Sequence, residues 1–324
     1  MSINDTVLTK NDITPRIVGL LLIPGFALFS YAAAVEPLRA ANILSGRTLY
    51  RWLHLTPDGD ASASSNGVAI AADRAVLEAA GLDVLLVCAG GNPAAYRDRA
   101  TLRWLRSLGR QGLAIGGVSG GPYLLARAGL LDGRCCTIHW EHEASFAEAF
   151  PQLDLRRTLY EIDGNRMTCA GGVAALDMMS AMIERDHGAA LGRRVSEWFL
   201  QTKRRQGGDA QRMSLRERTG VVSPAVLAAL SAMEAHVEEP LGAAGLTTAA
   251  GVGYRQLERL FHTHLGETVS RRYRKIRLER ARTLLAETAM PVMEVAAACG
   301  FTSASHFSRV FTAQFGKAPG RFRL

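Results

Sequence analysis

Residues 290–319 read MPVMEVAAAC GFTSASHFSR VFTAQFGKAP, and this stretch decides the fold of the C-terminal part of the chain. Its apolar spacing predicts a short helix over 292–299 that ends at Gly300. A second helix is predicted to begin after Thr302, whose hydroxyl can cap the first turn. The stretch therefore predicts two helices joined by a glycine turn.

The second of these helices is amphipathic. Apolar side chains recur at i, i+3 and i+4, the spacing of one buried stripe: Phe307, Val310 and Phe311. The side chains left facing outward are small, polar or basic: Ser303, Ser305, His306 and Arg309. Two helices, a glycine turn and such an outer face are typical of a helix-turn-helix unit that reads DNA.

The same pattern occurs once more upstream. Residues 246–250 read as a short helix, Gly251 as the turn and residues 254–264 as the second helix. The outward positions of that second helix are Tyr254, Arg255, Glu258, Arg259 and His262. An amphipathic basic helix over 267–287 joins the two units, so they can enter successive major grooves on one face of a duplex.

The distribution of charge points to the same partner. Residues 1–200 hold 19 Lys and Arg against 20 Asp and Glu, a net charge of −1, whereas residues 201–324 hold 19 against 10, a net charge of +9. A basic domain fused to a near-neutral one is typical of polyanion binding. Charge alone would also fit a solvated basic surface, and it is the repeated helix-turn-helix that favours double-stranded DNA.

The C-terminal sequence resembles a known family. Its matching positions are the run RLERARTLL at 277–285, Val295-Ala, Cys299-Gly-Phe, Ser305-His-Phe-Ser-Arg, Phe311, Phe315-Gly and Pro319. They resemble the signature of the AraC/XylS family of bacterial transcription regulators, over roughly residues 240–323. The resemblance implies a double-stranded DNA partner, with RNA polymerase as a further expected partner. One departure is Gly253, where the family usually has a serine-like cap, and a glycine there costs only a few tenths of a kcal/mol.

Length and composition set limits on the rest of the chain. A chain of 324 residues with 48% hydrophobic residues predicts two or three domains with real cores. Five cysteines at irregular spacing do not make a disulfide framework, which favours a reducing compartment. The apolar run 17–23 is too short for a signal sequence or a membrane span, so we expect a cytoplasmic protein.

The N-terminal part alternates short apolar runs with helical stretches. The runs predicted as strands are 17–23, 52–55, 83–88 and 113–118. The stretches predicted as helices are 32–44, 73–80, 101–108, 122–128 and 174–185. This alternation predicts an α/β fold with a doubly wound, mostly parallel sheet, and ligands of such sheets lie beyond the carboxyl ends of the strands.

The sharpest motif of that part is GVSGG, residues 117–121, between a predicted strand and a predicted helix. The glycines permit a tight turn that lifts Ser119 above the sheet, as in the Gly-x-Ser-x-Gly nucleophile elbow. A serine hydrolase is therefore one alternative. It would need a base and an orienting acid, and the candidates are His139 or His187 with Asp132, Asp163 or Asp177.

The wider pattern supports a different reading. The segments 118–134, 137–141 and 168–177 resemble the PfpI-like, glutamine-amidotransferase-like sensor domain of GlxA-like AraC regulators, over roughly residues 16–200. Enzymes related to this domain have a nucleophilic cysteine where this chain has Ser119, and a serine alcohol is far less nucleophilic. In this resemblance Glu36 matches the carboxylate beside the elbow, and His139 matches a Thr-His-Trp position. It implies a scaffold kept for binding, without catalytic residues.

These observations lead to a set of expected site residues. We expect the effector to contact Phe26, Glu36, Gly90, Gly91, Ser119, Gly120, Tyr123, His139 and Trp140. We expect DNA to contact Tyr254, Arg255, Glu258, Arg259, Ser303, Ser305, His306 and Arg309. No metal site is expected, because adjacent residues of a strand such as Cys135 and Cys136 point to opposite faces. No cofactor is expected either. Tyr123 and Trp140 could form an aromatic wall for an organic cation.

The expected organisation has four parts. Residues 1–15 form a disordered tail, 16–200 the PfpI-like effector-binding domain, 201–220 a polar linker, and 221–324 an all-α double helix-turn-helix domain. The protein is then a ligand-responsive transcription regulator that dimerises through its N-terminal domain. The resemblance suggests an activator of the catabolism of an amino acid or of a quaternary amine such as a betaine or carnitine. The alternative is a DNA-tethered hydrolase that uses Ser119.

Overall fold

The computed structural model describes residues 14–322, so the predicted tail at 1–15 lies almost entirely outside the described residues. The strands are β1 (Arg16–Leu22), β2 (Tyr50–Thr56), β3 (Ser62–Ala63), β4 (Ala69–Ile70), β5 (Arg74–Ala75), β6 (Val84–Ala89), β7 (Ala114–Ser119), β8 (Cys135–Cys136), β9 (Asp154–Leu155), β10 (Tyr160–Asp163) and β11 (Arg166–Cys169). The helices of the N-terminal part are α1 (Leu28–Ser45), α2 (Arg99–Arg110), α3 (Gly121–Arg127), α4 (Glu143–Ala149), α5 (Val173–His187) and α6 (Ala189–Trp198).

Seven of these strands form one sheet in the order β10-β11-β7-β6-β1-β2-β5. Neighbouring strands are parallel except β10, which runs antiparallel to β11 at the edge. All six residues of β6 are buried, as expected for a strand covered on both faces. One face packs against α1, α5 and α6, and the other against α2, α3 and Phe146 of α4. The doubly wound, mostly parallel α/β fold is confirmed.

One predicted helix is wrong. The stretch 73–80 contains β5 and a 3-10 turn at Val76–Glu78 instead of an α-helix. Tertiary pairing decides this, because Arg74 pairs with Leu55 at the edge of the sheet. The carboxylate of Asp73 also accepts a hydrogen bond from the backbone amide of His54, at 2.7 Å. The local helical pattern is thus overridden by the neighbouring strand.

The C-terminal part consists of helices. They are α7 (Leu215–Thr219), α8 (Pro224–Ala235), α9 (Ala243–Ala250), α10 (Tyr254–Leu265), α11 (Val269–Glu287), α12 (Val292–Ala298) and α13 (Ala304–Phe315). The units α9–α10 and α12–α13 have separate small cores, and α11 contributes side chains to both. Gly251 and Gly300 end α9 and α12 with positive φ angles of 67° and 71°. The predicted double helix-turn-helix is confirmed, including both turn glycines.

No helix within residues 14–322 has both the length and the apolar character needed to cross a membrane.

Candidate functional site

The elbow predicted at 117–121 has the expected strand-turn-helix geometry. Ser119 ends β7 with φ of 60°, a left-handed conformation that side chains other than glycine seldom adopt. A Cβ added to Gly117 would lie 2.5 Å from the backbone nitrogen of Pro122, and one added to Gly121 would overlap the carbonyl oxygen of Val87. The motif needs its glycines because the turn, α3 and β6 approach each other this closely.

Residues from α1 and from the end of β11 lie beside the elbow. The hydroxyl of Ser30 accepts a hydrogen bond from the amide of Gly172, at 2.7 Å. A Cβ on Gly171 would lie only 2.6 Å from the Cβ of Ser119. Ser30 and 171–172 were missed from the sequence. Ser30 lies in the first turn of α1, which the sequence predicted to begin only at residue 32, and 171–172 follow β11, which was not predicted. With β11 known, the rule that ligands lie beyond strand ends would have found the glycine pair.

The expectation for Glu36 needs correction. Ser30 is the α1 side chain that lies next to the elbow, and Glu36 lies about 9 Å further along the helix at about 1.5 Å per residue. The Glu36 carboxylate forms an ion pair with Arg39, one turn away on the same helix. The helical register therefore places Ser30 beside Ser119, and Glu36 is not retained as a site residue.

Tyr123 is also not part of an open aromatic wall. Its side chain is buried, with 3% exposed, and its ring packs edge-on against Phe146 and Phe150. The guanidinium of Arg127 lies 5.0 Å from the ring centroid. Tyr123 lies on the side of α3 that packs into the core between this helix and the sheet. It therefore contributes to the core and not to a ligand wall.

Trp140 has the character expected of a cation-binding aromatic residue. Its side chain is 41% exposed, and the guanidinium of Arg212 lies over its ring, 4.5 Å from the centroid. Arg212 belongs to the segment predicted as a linker. This ring face thus accommodates a planar cation from the chain itself.

The remaining predicted residues lie at the carboxyl edge of the sheet. Phe26 is fully buried and packs on Tyr31, so its side chain belongs to the core beneath the carboxyl edge of the sheet. The loops after β1 and β6 are in close contact, because a Cβ added to Gly90 would lie only 2.9 Å from the carbonyl oxygen of Gly25. The amide of Gly120 donates to the carbonyl oxygen of Ala89, at 3.0 Å. Gly91 follows with φ of 59°.

Among the described residues, the elbow lacks the hydrogen bonds that would activate its serine. Within residues 14–322 no side chain forms a hydrogen bond with the Ser119 hydroxyl, and His139 contacts this residue through its backbone amide, which donates to the Ser119 carbonyl oxygen at 3.3 Å. Burial lowers the pKa of the His139 imidazole. Burial raises the pKa of the neighbouring Cys169 thiol to about 12, so it is not a thiolate at neutral pH. A serine–histidine pair is therefore not assembled here.

The outward positions of α10 divide into two groups. Arg255 and Arg259 are exposed and lie on the surface predicted to contact DNA. The carboxylate of Glu258 accepts a hydrogen bond from the Tyr254 hydroxyl at 2.9 Å and from the backbone amide of Val269 at 3.3 Å. Glu258 therefore links α10 to the start of α11, and its oxygen atoms are already used within the domain.

The start of α13 corrects the predicted cap by one residue. Ser303, not Thr302, is the capping residue, and its hydroxyl accepts a hydrogen bond from the backbone amide of His306, at 3.3 Å. Ser305 lies 3.0 Å from the same hydroxyl. Ser303, Ser305, His306 and Arg309 are exposed, as the helical spacing predicted. Ser303 thus has a structural role in addition to its exposed position.

Arg277 is a residue that the pattern did not single out for a role. Its guanidinium donates to the carbonyl oxygens of Cys299 and Gly300, at 2.8 and 2.6 Å, and lies 4.0 Å from the ring centroid of Phe301. It therefore holds the turn of the second helix-turn-helix unit against α11. An arginine within a basic helix carries no sequence signal for such a contact, because the partners are backbone atoms.

Comparison with known proteins agrees with both halves of the structure. Residues 246–324 match the family described as a helix-turn-helix domain, and residues 20–185 match the DJ-1/PfpI family. The chain is 45% identical to the HTH-type transcriptional regulator GlxA of Rhizobium meliloti (strain 1021), over 94% of this chain and 95% of that protein. It is 43% identical to the HTH-type transcriptional regulator GbdR of Pseudomonas aeruginosa (strain UCBPP-PA14), over 94% and 83%.

A solved structure shares the fold of part of the chain. The crystal structure of an AraC family transcriptional regulator from Pseudomonas putida is 30% identical to this chain, with a TM-score of 0.53. It matches 57% of this chain and all of that one. The relatives that match nearly the whole chain are transcriptional regulators, and the hydrolase alternative is set aside. The chain belongs to the AraC-type helix-turn-helix regulators with a DJ-1/PfpI domain, and it is a DNA-binding transcriptional regulator and not an enzyme.

Proposed function

We propose that this regulator responds to a small zwitterion, an amino acid or a quaternary-amine acid such as a betaine or carnitine, bound at the carboxyl edge of its sheet. The observation that carries this proposal is the Ser119 hydroxyl. The backbone of Ser119 has a positive φ, and the residue is surrounded by the loops at 89–93, 137–142 and 170–172. Its hydroxyl has no hydrogen-bond partner in the described part of the chain. A polar group positioned at such cost favours a ligand role.

The aromatic face of Trp140 supports a cationic group on the ligand. Arg212 already places a guanidinium 4.5 Å from this ring, so the environment there tolerates a positive charge. A quaternary ammonium group is attracted to such a ring face by the same electrostatic interaction. The carboxylate of the zwitterion would lie toward Ser119 and Gly120.

The biological role follows from this assignment. We propose that the effector converts the protein into an activator of genes for catabolism of that compound. Contact with RNA polymerase and a homodimer formed through the N-terminal domain belong to the same proposal. A cytoplasmic location belongs to the same proposal, because the protein acts on DNA. The domain limits 16–200, 201–220 and 221–324 are proposed with it.

Calorimetric titration tests the effector site. Glycine betaine, carnitine and arginine are titrated into the full-length wild type, and we expect one of them to bind. Ser119→Ala should lose roughly 0.5–1.5 kcal/mol, the value of one neutral hydrogen bond. Ser119→Leu should abolish binding, since it fills the site. Trp140→Ala should weaken binding of the same compound, whereas Trp198→Ala, which removes another exposed tryptophan (45% exposed), should not. Binding that is indifferent to Ser119→Leu would place the effector elsewhere.

A further inference from the structure

The N-terminal and DNA-binding domains contact each other at the end of α11. Glu287 is the last residue of this helix, and its carboxylate accepts hydrogen bonds from Nδ1 of His142 at 3.0 Å and from the hydroxyl of Ser145 at 2.6 Å. Only 13% of the Glu287 side chain and 6% of the His142 side chain are exposed. One residue earlier, the carbonyl oxygen of Ala286 accepts from the side-chain amide of Asn92, at 2.8 Å. Buried polar groups paired in this way make a specific contact.

The partners of α11 lie beside the proposed effector site. Asn92 follows the glycines 90–91, which begin the loop after β6. His142 follows His139 by one turn of chain, and the two imidazole rings are 6.0 Å apart. The backbone of His139 is hydrogen-bonded to Ser119. The same loops therefore face the elbow on one side and the DNA-binding domain on the other.

The segment before the DNA-binding domain contacts this region as well. Gln211 donates from its side-chain amide to the hydroxyl of Thr137 and to the carbonyl oxygens of Ile138 and Thr158, at 2.8 to 3.0 Å. Arg212 then lies over the ring of Trp140. Within the short stretch 137–145, residues 137–140 thus contact 211–212, and residues 142 and 145 contact the end of α11.

We propose that Asn92 and residues 139–145 form an intramolecular docking surface for the DNA-binding domain, and that an effector at the elbow releases it. This inference rests on the proposed function, because it names how that site is read out. Release follows from competition: the cationic end of the effector and Arg212 require the same face of Trp140. A ligand can shift a conformational equilibrium only by binding one state better, and the undocked state leaves that face free.

Docking through α11 would restrain both reading units. This helix contributes to the cores of α9–α10 and of α12–α13, so anchoring its end fixes the position of both units relative to the N-terminal domain. Ala144 also packs against the core of the second unit. Release would allow the two units to adopt the position that two successive grooves demand.

Substitution of Glu287 tests the docking surface without an effector. An operator is first selected from random duplexes with the full-length protein. Full-length Glu287→Ala should bind it at least fivefold more tightly than the wild type, and amide hydrogen exchange over 142–149 should be faster. Glu279→Ala is the matched control, since it removes an exposed carboxylate from the same helix. Ser145→Ala removes a partner on the other side of the contact without changing charge, and should act in the same direction to a smaller extent.

Three results would overturn the proposal. Unchanged exchange over 142–149 in Glu287→Ala would show that the surface is not docked, and unchanged operator affinity with faster exchange would show that docking does not restrain DNA binding. Equal gains in Glu279→Ala would mean that loss of negative charge is the cause. The effector arm is separate. Glycine betaine that binds the wild type by calorimetry should accelerate exchange over 142–149, and binding without this change would refute the coupling. Failure of glycine betaine, carnitine and arginine to bind at all would count against the proposed function and leave the Glu287 result to decide the docking.

Discussion

At the scale of single residues, Ser119 and Leu200 are the non-glycine residues with positive φ, 60° and 57°, within residues 14–322. Leu200 is 86% exposed and follows α6, whereas Ser119 is buried under three loops. The left-handed conformation costs an L-residue about 1–2 kcal/mol. Leu200 adopts this conformation on the surface, away from the proposed effector site. At Ser119 the close approach of β6 and α3 to the turn imposes it.

This difference gives a prediction for stability. Ser119→Gly should leave the free energy of unfolding within about 1 kcal/mol of the wild type, because relief of strain offsets the greater chain entropy of glycine. Ser119→Val should destabilise by more than about 1 kcal/mol, since a β-branched side chain suits this conformation least. Urea denaturation measures both variants. Leu200→Gly serves as the control for strain relief at an exposed site, and Ser119→Val as stable as the wild type would contradict the strain.

At the scale of elements, the start of α13 shows how one residue shifts a role. The sequence predicted Thr302 as the cap, and the structure assigns this hydrogen bond to Ser303. Both residues carry the required hydroxyl, so the local pattern does not separate them. The preceding turn decides: Ser303 has the extended φ and ψ of a capping residue, −130° and 118°.

The cap gives a prediction for the second helix-turn-helix unit. Ser303→Ala should cost about 1 kcal/mol of stability, whereas Thr302→Ala should cost close to nothing, because its hydroxyl is not the one that caps the helix. Thermal unfolding followed by circular dichroism compares the two variants, each of which removes one exposed hydroxyl. A larger loss in Thr302→Ala would return the cap to the residue predicted from the sequence.

The exposed arginines of the two reading helices give a prediction for DNA binding. Arg255→Ala in α10 and Arg309→Ala in α13 should each weaken specific binding by about 1–3 kcal/mol if the side chain contacts a base. Loss of a phosphate contact would instead weaken all sequences alike and reduce the salt slope by about one. Gel shifts at several salt concentrations distinguish the two. Arg99→Ala, an exposed arginine of the N-terminal domain, is the control, and unchanged affinity in the Arg255/Arg309 double variant would refute the assignment.

At the scale of the whole molecule, the two parts have separate cores joined by a polar contact. Within the described residues, the cores of the helix-turn-helix units consist of residues from Leu215 of α7 to Phe322, and Ala144 is the residue of the N-terminal part that packs against them. The contact at Glu287 and the contacts of residues 201–212 connect the parts. Such a polar interface suits relative motion better than a shared apolar core would.

This organisation predicts that the domains are separable. A fragment of residues 221–324 should fold and bind the operator without effector, because it contains every residue of the two cores except the partly buried Leu215 and Ala144. It should bind more weakly than full-length Glu287→Ala if the N-terminal domain dimerises, since tethering two sites raises their effective concentration. Gel shifts and analytical ultracentrifugation measure affinity and stoichiometry. Equal affinity of the two proteins, with both monomeric, would argue against dimerisation through the N-terminal domain.

The sequence alone determined the elements whose signal is local. Helical periodicity with turn glycines identified both helix-turn-helix units, and buried apolar runs identified β1, β2, β6 and β7. The elbow at 117–121 was also predicted from its glycines. In the structure, a side chain at Gly117 or Gly121 would overlap neighbouring backbone atoms. In each case the pattern repeats over neighbouring residues, so the evidence lies within a few turns of chain.

Only the tertiary structure decided which distant residues meet. It turned the stretch 73–80 into a strand and a 3-10 turn, through pairing with β2, and it placed Ser30 instead of Glu36 beside Ser119. It buried Tyr123 and brought Arg212 over Trp140 and Glu287 onto His142. These contacts join residues far apart in the chain through hydrogen bonds and ring faces. Since such partners leave no periodic trace in either segment, packing of the whole chain is what selects them.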